Sequence, residues 1–316
     1  MAAPLTIGFL IFPGFPMACL TSFIEPLRAA NEISSQRAFA WQLIAEHPGR
    51  VRSSAEVDFD PGATLETAKG LDYLIVLSPP SADFVEKSTA PTLRALSRHG
   101  VTLGAVSGGV FPLVKAGLGD HRPLSVHWCY RAAFEAAFPN KFASDQVLEI
   151  DKRFVTASGA AAAFDLALHL IETQLNAATA TEVACWFQHP MMRKANVQQA
   201  VPSGDITGQG AQLPNLVSRA VEMFAVDMTE PLKVAEVAGA LDISARHLER
   251  SFKQSTGLSP SHYYRKMRME AARQIVMYTN DRLSDIAASV GYVSQQAFNK
   301  HYQSSFGVTP NEDRKR

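Results

Sequence analysis

Apolar positions follow two different rhythms along the chain. In the first half they cluster in short stretches: Leu5 to Phe12 is a continuous run, and Phe39 to Ala45, Asp72 to Leu77, Val101 to Val106 and, later, Leu148 to Ala157 are further strand candidates. Such runs are the pattern of strands buried on both faces. Helical spacing lies between and after them, about Met17 to Asn31, Ala90 to Ser97, Ala160 to Leu175 and Thr181 to Gln188. Strands alternating with helices predict a parallel sheet covered on both sides. From Arg193 the periodicity disappears into R-K-A-N-V-Q-Q-A-V-P-S-G-D-I-T-G-Q-G-A-Q-L-P. Gly, Gln and Pro dominate there, which predicts a linker over 193–213 between domains at 1–192 and 214–316. Asn215 to Met228 reads as the first helix of the second domain.

Beyond Glu230 the rhythm is helical, and one plan occurs twice. In the first copy Val234, Val237, Ala238 and Leu241 form one apolar stripe, and Asp242-Ile243 breaks it. Ser244 stands at an N-cap position, where its hydroxyl accepts from free backbone N–H groups of a new helix. Leu248 and Phe252 point inward on that helix, leaving Arg246, Glu249 and Arg250 on another face. In the second copy Ile286, Ala287 and Val290 form the stripe and Gly291 permits a left-handed residue at its end. Ser294 is the next N-cap, Phe298 and Tyr302 point inward, and Gln295, Gln296, Asn299 and Lys300 face out. A short helix, a turn and a second helix with a polar outer face is the geometry that sets a helix in the major groove. Gln and Asn match adenine edges, and Arg and Lys match guanine. A connecting helix from Pro260 to Tyr278 can hold the two reading helices about one DNA turn apart, ~34 Å.

This stretch resembles the DNA-binding domain of AraC/XylS-type transcriptional regulators. The ending G-Y-V-S-Q-Q-A-F-N-K-H-Y-Q-S-S-F-G-V-T-P carries the resemblance, which covers roughly Leu213 to Pro310. It implies that Arg246, Glu249 and Arg250, and then Gln295, Gln296, Asn299 and Lys300, touch promoter DNA. Ser244 and Ser294 open the two reading helices. RNA polymerase and a second copy of the chain are the further partners it suggests. The tail N-E-D-R-K-R departs from the family by lacking an aromatic-Arg pair.

Charge adds modest support. The 316 residues balance to +0, yet from Glu230 onward 13 Lys+Arg face 9 Asp+Glu, a basic end on an acidic body. Cys19, Cys129 and Cys185 are far apart and odd in number, so they form neither a disulfide framework nor a zinc spacing. No metal or cofactor site is expected. The start lacks a basic region ahead of its apolar run, and no run is long enough to span a membrane. A cytoplasmic protein is expected.

One stretch of the first half carries candidate chemistry. In A-V-S-G-G-V-F-P-L-V a strand ends at Val106, Ser107 follows, and Gly108-Gly109 opens a helix. That elbow presents Ser107 at the carboxyl edge of the sheet, where open parallel sheets bind ligands. Further on, His127 and Trp128 stand at the expected start of another helix. The block S-G-G-V-F…A-G-L…H-W…T-A-S-G, with E-P-L-R-A-A-N before it, is similar to the class I glutamine amidotransferase-like fold in its PfpI-like branch. More narrowly, it is similar to the amino-terminal domain of GlxA-like AraC regulators. The resemblance implies a flavodoxin-like sandwich. Catalytic relatives carry cysteine at the elbow, with a histidine and a helix-borne glutamate. Here Ser107 stands at the elbow, Gly108 where histidine is frequent, and Glu25 at the glutamate position. The residues support no catalytic assignment, because a serine nucleophile needs a base in reach and an oxyanion hole. The expected role is an effector pocket built from Glu25, Ser107, Gly108, His127 and Trp128. The subgroup implies an amine or amino acid derivative as the effector. A hydrolase or amidotransferase with a DNA-binding appendage, and a partner-binding module without effector, are the alternatives.

Overall fold

The computed structural model describes residues 3–189, 193, 196–199, 213–226, 228–279 and 281–315. It divides into two compact units, 1–199 and 200–316. The expected linker lies outside the described residues apart from Arg193, 196–199 and Leu213.

In the first unit β1 (Leu5–Ile11) leads into α1 (Met17–Ile33) and β2 (Phe39–Ala45). Three two-residue strands follow, β3 (Val51–Arg52), β4 (Asp58–Phe59) and β5 (Ala63–Thr64). Then come β6 (Tyr73–Ser78), α2 (Thr89–Arg98), β7 (Thr102–Ser107), α3 (Val110–Lys115), β8 (Pro123–Ser125), α4 (Arg131–Ala137) and β9 (Phe142–Ser144). The unit ends with β10 (Leu148–Ile150), β11 (Phe154–Ala157), α5 (Ala160–Gln174) and α6 (Ala177–Trp186). Seven strands form one sheet in the order β10-β11-β7-β6-β1-β2-β5. Every pair in it is parallel except β10 with β11.

Both faces of this sheet are covered, as the apolar stretches require. Ile7, Phe9 and Ile11 alternate onto the face packed by α1, α5 and α6, where Phe9 meets Phe23 edge-on with ring centroids 5.2 Å apart. Leu10, Leu74, Val76 and Leu103 are equally buried. Three local readings are corrected. The run Leu148 to Ala157 is not one strand but the antiparallel hairpin of β10 and β11. Asp151 makes the turn, its Oδ1 accepting from the N–H groups of Arg153 (2.7 Å) and Phe154 (2.9 Å). The last helix begins at Ala177 rather than Thr181, because Asn176 Oδ1 caps it from Thr179 N–H at 2.9 Å. His127 and Trp128 open a single 3₁₀ turn, Trp128–Tyr130, before α4.

The second unit is helical: α7 (Asn215–Val226), α8 (Val234–Ala240), α9 (Ala245–Thr256), α10 (Pro260–Tyr278), α11 (Leu283–Ser289), α12 (Gln295–Phe306) and α13 (Pro310–Asp313). Val237, Ala238, Leu248 and Phe252 share a core with α7 and with Tyr263 and Tyr264 of α10. Ile286, Ala287, Val290, Phe298 and Tyr302 are buried in the second copy of the plan. Among the described residues no helix is long and apolar enough to cross a membrane.

Candidate nucleic-acid interface and the elbow

Each reading helix starts and stops on a local signal. Ser244 accepts from His247 N–H at 3.2 Å and Ser294 from Ala297 N–H at 3.4 Å, so both serines are spent as caps. Gly257 (φ 70°) and Gly307 (φ 74°) end α9 and α12 in the left-handed region. Between the caps, Arg246, Glu249 and Arg250 share one open concave surface with Ser244, His247, Lys253 and Ser259. Arg246, Arg250 and Lys253 form no ion pair among the described residues, which leaves their charge to face an external anion. On α12, Gln295, Gln296 and Lys300 are exposed, whereas Asn299 is half-buried with its Oδ1 turned inward.

Two arginines of α10 fix the second copy on it. Arg268 lies between the rings of Tyr264 (5.2 Å) and Tyr292 (4.9 Å) and donates to the carbonyls of Val290 (3.1 Å) and Gly291 (3.2 Å). Asp313 is fully buried and accepts from Arg273 Nε (2.7 Å), Arg273 Nη2 (3.2 Å) and Tyr302 Oη (2.9 Å). The tail that departs from the family pattern is therefore an anchor for α12.

At the elbow, Ser107 is buried and takes φ 57°, a left-handed conformation that costs a non-glycine residue roughly 1–2 kcal/mol. The two glycines after it are needed for close approach to β6. A Cβ on Gly108 would stand 2.4 Å from the Ser78 carbonyl oxygen, and one on Gly109 2.0 Å from that of Val76. The Gly109 N–H already donates to Val106 at 3.0 Å, so it is not free for a ligand carboxylate.

The five expected pocket residues take different partners. Glu25 pairs with Arg28 at 2.9 Å and lines an open groove with Phe164, Phe187 and His189. The α1 side chain beside Ser107 is Cys19, whose thiol burial pushes up to about 12. Six residues separate Cys19 from Glu25, a rotation of roughly 240° around the helix, which carries Glu25 off that face. His127 caps the 3₁₀ turn through Nδ1, 3.3 Å from Cys129 N and 2.9 Å from Cys129 Sγ, and burial holds its pKa below the usual value. Ser107 and His127 share no hydrogen bond among the described residues, so the elbow lacks an engaged base. Trp128 is exposed, and its backbone N–H donates to Gln199 Oε1 at 2.9 Å.

A helix-turn-helix domain family matches residues 237–316. Over 312 residues the chain is 32% identical to the HTH-type transcriptional regulator GbdR of Pseudomonas aeruginosa, covering 98% of this chain and 84% of that protein. The chain belongs to the AraC/XylS-type transcriptional regulators. Its full-length similarity extends to the regulators ArgR of P. aeruginosa (33% identity, 99% of this chain, 94% of that protein) and GlxA of Rhizobium meliloti (28%, 98% and 95%), which places it in the GlxA-like subgroup. An AraC family transcriptional regulator from Pseudomonas putida shares its fold with TM-score 0.52 at 22% identity, over 58% of this chain and all of that one. The first unit is a parallel-dominated α/β sheet domain, and the second holds the helix-turn-helix DNA-binding domain.

Four further exposed positions in this helix-turn-helix domain escaped the reading of the sequence. His247, Lys253 and Ser259 line the α9 surface with the expected residues. Helical spacing could have found Lys253, which lies three residues after Arg250 on the same face. Val293 is fully exposed just ahead of the Ser294 cap. An apolar residue directly before an N-cap serine was its signal.

Proposed function

We propose that this AraC-type regulator reads promoter DNA with α9 and α12 and senses a small amine or amino acid derivative with its amino-terminal unit. In this reading 1–192 is the sensing and dimerising domain, 193–213 the connection and 214–316 the DNA-binding domain. Arg246, Glu249, Arg250, Gln295, Gln296, Asn299 and Lys300 face DNA, with Ser244 and Ser294 setting the helix starts. RNA polymerase and a second copy are its protein partners. The observation that carries the reading is the pair of serine-capped helices joined by one unbroken 19-residue helix, α10. At 1.5 Å per residue that helix is about 28 Å long, on the scale of one duplex turn.

Fluorescence anisotropy on the promoter fragment of its own operon, with and without candidate effectors, tests the proposal. Specific binding that weakens steeply with salt and changes on adding an amine supports it. Equal affinity for promoter and random duplex would remove the DNA-reading part, and an unchanged promoter complex across the effector series would remove the sensing part.

A further inference from the structure

The strand order places β1 beside β6, with β2 on the far side of β1 and β7 on the far side of β6. The connections leave this pair in opposite directions, which opens a crevice at the carboxyl ends of the two strands, where doubly wound sheets bind ligands. A cavity of about 230 Å³ lies there, bounded by Ile11 and Phe12 after β1, Glu46 after β2, and Pro79, Ala82 and Asp83 after β6. None of Glu25, Ser107, Gly108, His127 and Trp128 lines it.

Its chemistry is specific. Ile11 and Phe12 are almost completely buried and supply an apolar floor. Glu46 is only 9% exposed, and its carboxylate is held rigidly by Thr89 Oγ1 (2.6 Å), Val85 N–H (3.2 Å) and Glu86 N–H (3.4 Å). All three donors are neutral, and Glu46 forms no ion pair among the described residues. Its compensation comes from neutral donors alone, so this wall can still accept a cation. On the exposed rim Arg50 pairs with Asp60 at 3.1 Å, both mostly in solvent, and can exchange that partner for a ligand carboxylate at little cost. The volume holds about eight water-sized groups at ~30 Å³ each, which is small for a drug-sized site.

We propose that this switch-point cavity, and not the elbow, is the effector site, and that it takes a compact organic cation or zwitterion whose positive end rests against Glu46. The inference depends on the amino-terminal unit being a sensor.

The test uses the full-length chain and thermal shift with calorimetric titration. The probes are glycine betaine, choline, L-arginine and 3,3-dimethylbutanoate, which has the shape of glycine betaine without its cation. At least one cationic probe should raise the melting temperature, and the uncharged-headgroup isostere should not. Glu46→Gln, which keeps an acceptor for Thr89, should weaken binding at least tenfold. Ala82→Trp, which fills the mouth of the cavity from its rim, should abolish it. Ser107→Ala and Trp128→Ala should bind within twofold of the parent, and promoter binding by each variant confirms its fold. Binding that survives Glu46→Gln and Ala82→Trp but is lost in Ser107→Ala or Trp128→Ala would overturn the cavity assignment and leave the sensor reading standing. A parent chain that no cationic probe shifts would overturn both for this ligand class. Equal shifts from glycine betaine and its isostere would overturn the role of Glu46.

Discussion

Gly291 of the second helix-turn-helix unit abuts Pro231 of the first: a Cβ on Gly291 would lie 2.3 Å from Pro231 Cγ and 2.6 Å from the Met228 carbonyl oxygen. The same residue takes φ 74°. It satisfies two demands at once, the left-handed end of α11 and the contact between the units.

Gly291→Ala should therefore fail on both counts. The left-handed conformation alone costs roughly 1–2 kcal/mol, and relieving the overlap with Pro231 adds to it. Urea unfolding should report a loss of at least about 2 kcal/mol. Affinity for promoter DNA should fall further than that loss explains, because the two reading helices lose their common alignment. A stable variant with parental affinity would mean that the Pro231 contact does not set that alignment.

Asp313→Ala would leave the Arg273 guanidinium and the Tyr302 hydroxyl without their acceptor beneath α12. Breaking a buried pair from one side costs about 3–5 kcal/mol, and the partial exposure of Arg273 puts this case near the lower end. The change should appear in chemical denaturation and as faster amide hydrogen exchange in α12 than in α9. Burial and Asp313 both raise the pKa of Tyr302 above its ordinary 10.0. The stability this gives is complete below the unfolded value and is lost as pH rises through the folded one. Alkaline titration of stability should thus be steeper in the parent than in Tyr302→Phe.

His127 works in the opposite pH range. Burial lowers its pKa from 6.5. The neutral ring therefore contributes stability that is full above pH 6.5 and is lost as pH falls through the folded value, where the unfolded chain takes up a proton that the folded chain refuses. A thermal melt of the first unit should drop between pH 6.5 and 5 in the parent, and drop less in His127→Gln.

On the DNA side, Arg250→Ala and Gln296→Ala should each cost ~1–3 kcal/mol, and only at particular base pairs. Lys300→Ala should weaken all sequences about equally and lower the salt slope by about 1. Binding profiles over a base-substituted promoter at several salt concentrations separate the two kinds of loss. Base-specific loss in Lys300→Ala, or uniform loss in the other two, would reverse the assigned roles.

What the sequence disclosed, it disclosed through local chemistry. Ser244, Ser294 and Pro260 each act within a few residues of their own position, so the starts of α9, α10 and α12 were legible. The sheet was legible because its strands are buried on both faces and need no alternation. Partners distant in the chain were not legible. Arg273 meets Asp313 across 40 positions and Glu46 meets Thr89 across 43, and no periodicity encodes such pairs. The position of Glu25 was not legible for the same reason. Placing Glu25 opposite Ser107 required knowing the rotation of α1 over the sheet, and that rotation brings Cys19 there instead.

With α10 continuous and Gly291 seated on Pro231, the reading head has no joint between its two halves. It behaves as a fixed-gauge calliper. One base pair inserted between the two contacted steps turns one against the other by about 34–36°, taking 10–10.5 base pairs per turn. Where α10 holds its shape, such a mismatch is taken up as twist or bend in the duplex. Promoters of equal contact sequence would then be ranked by how cheaply their spacer deforms.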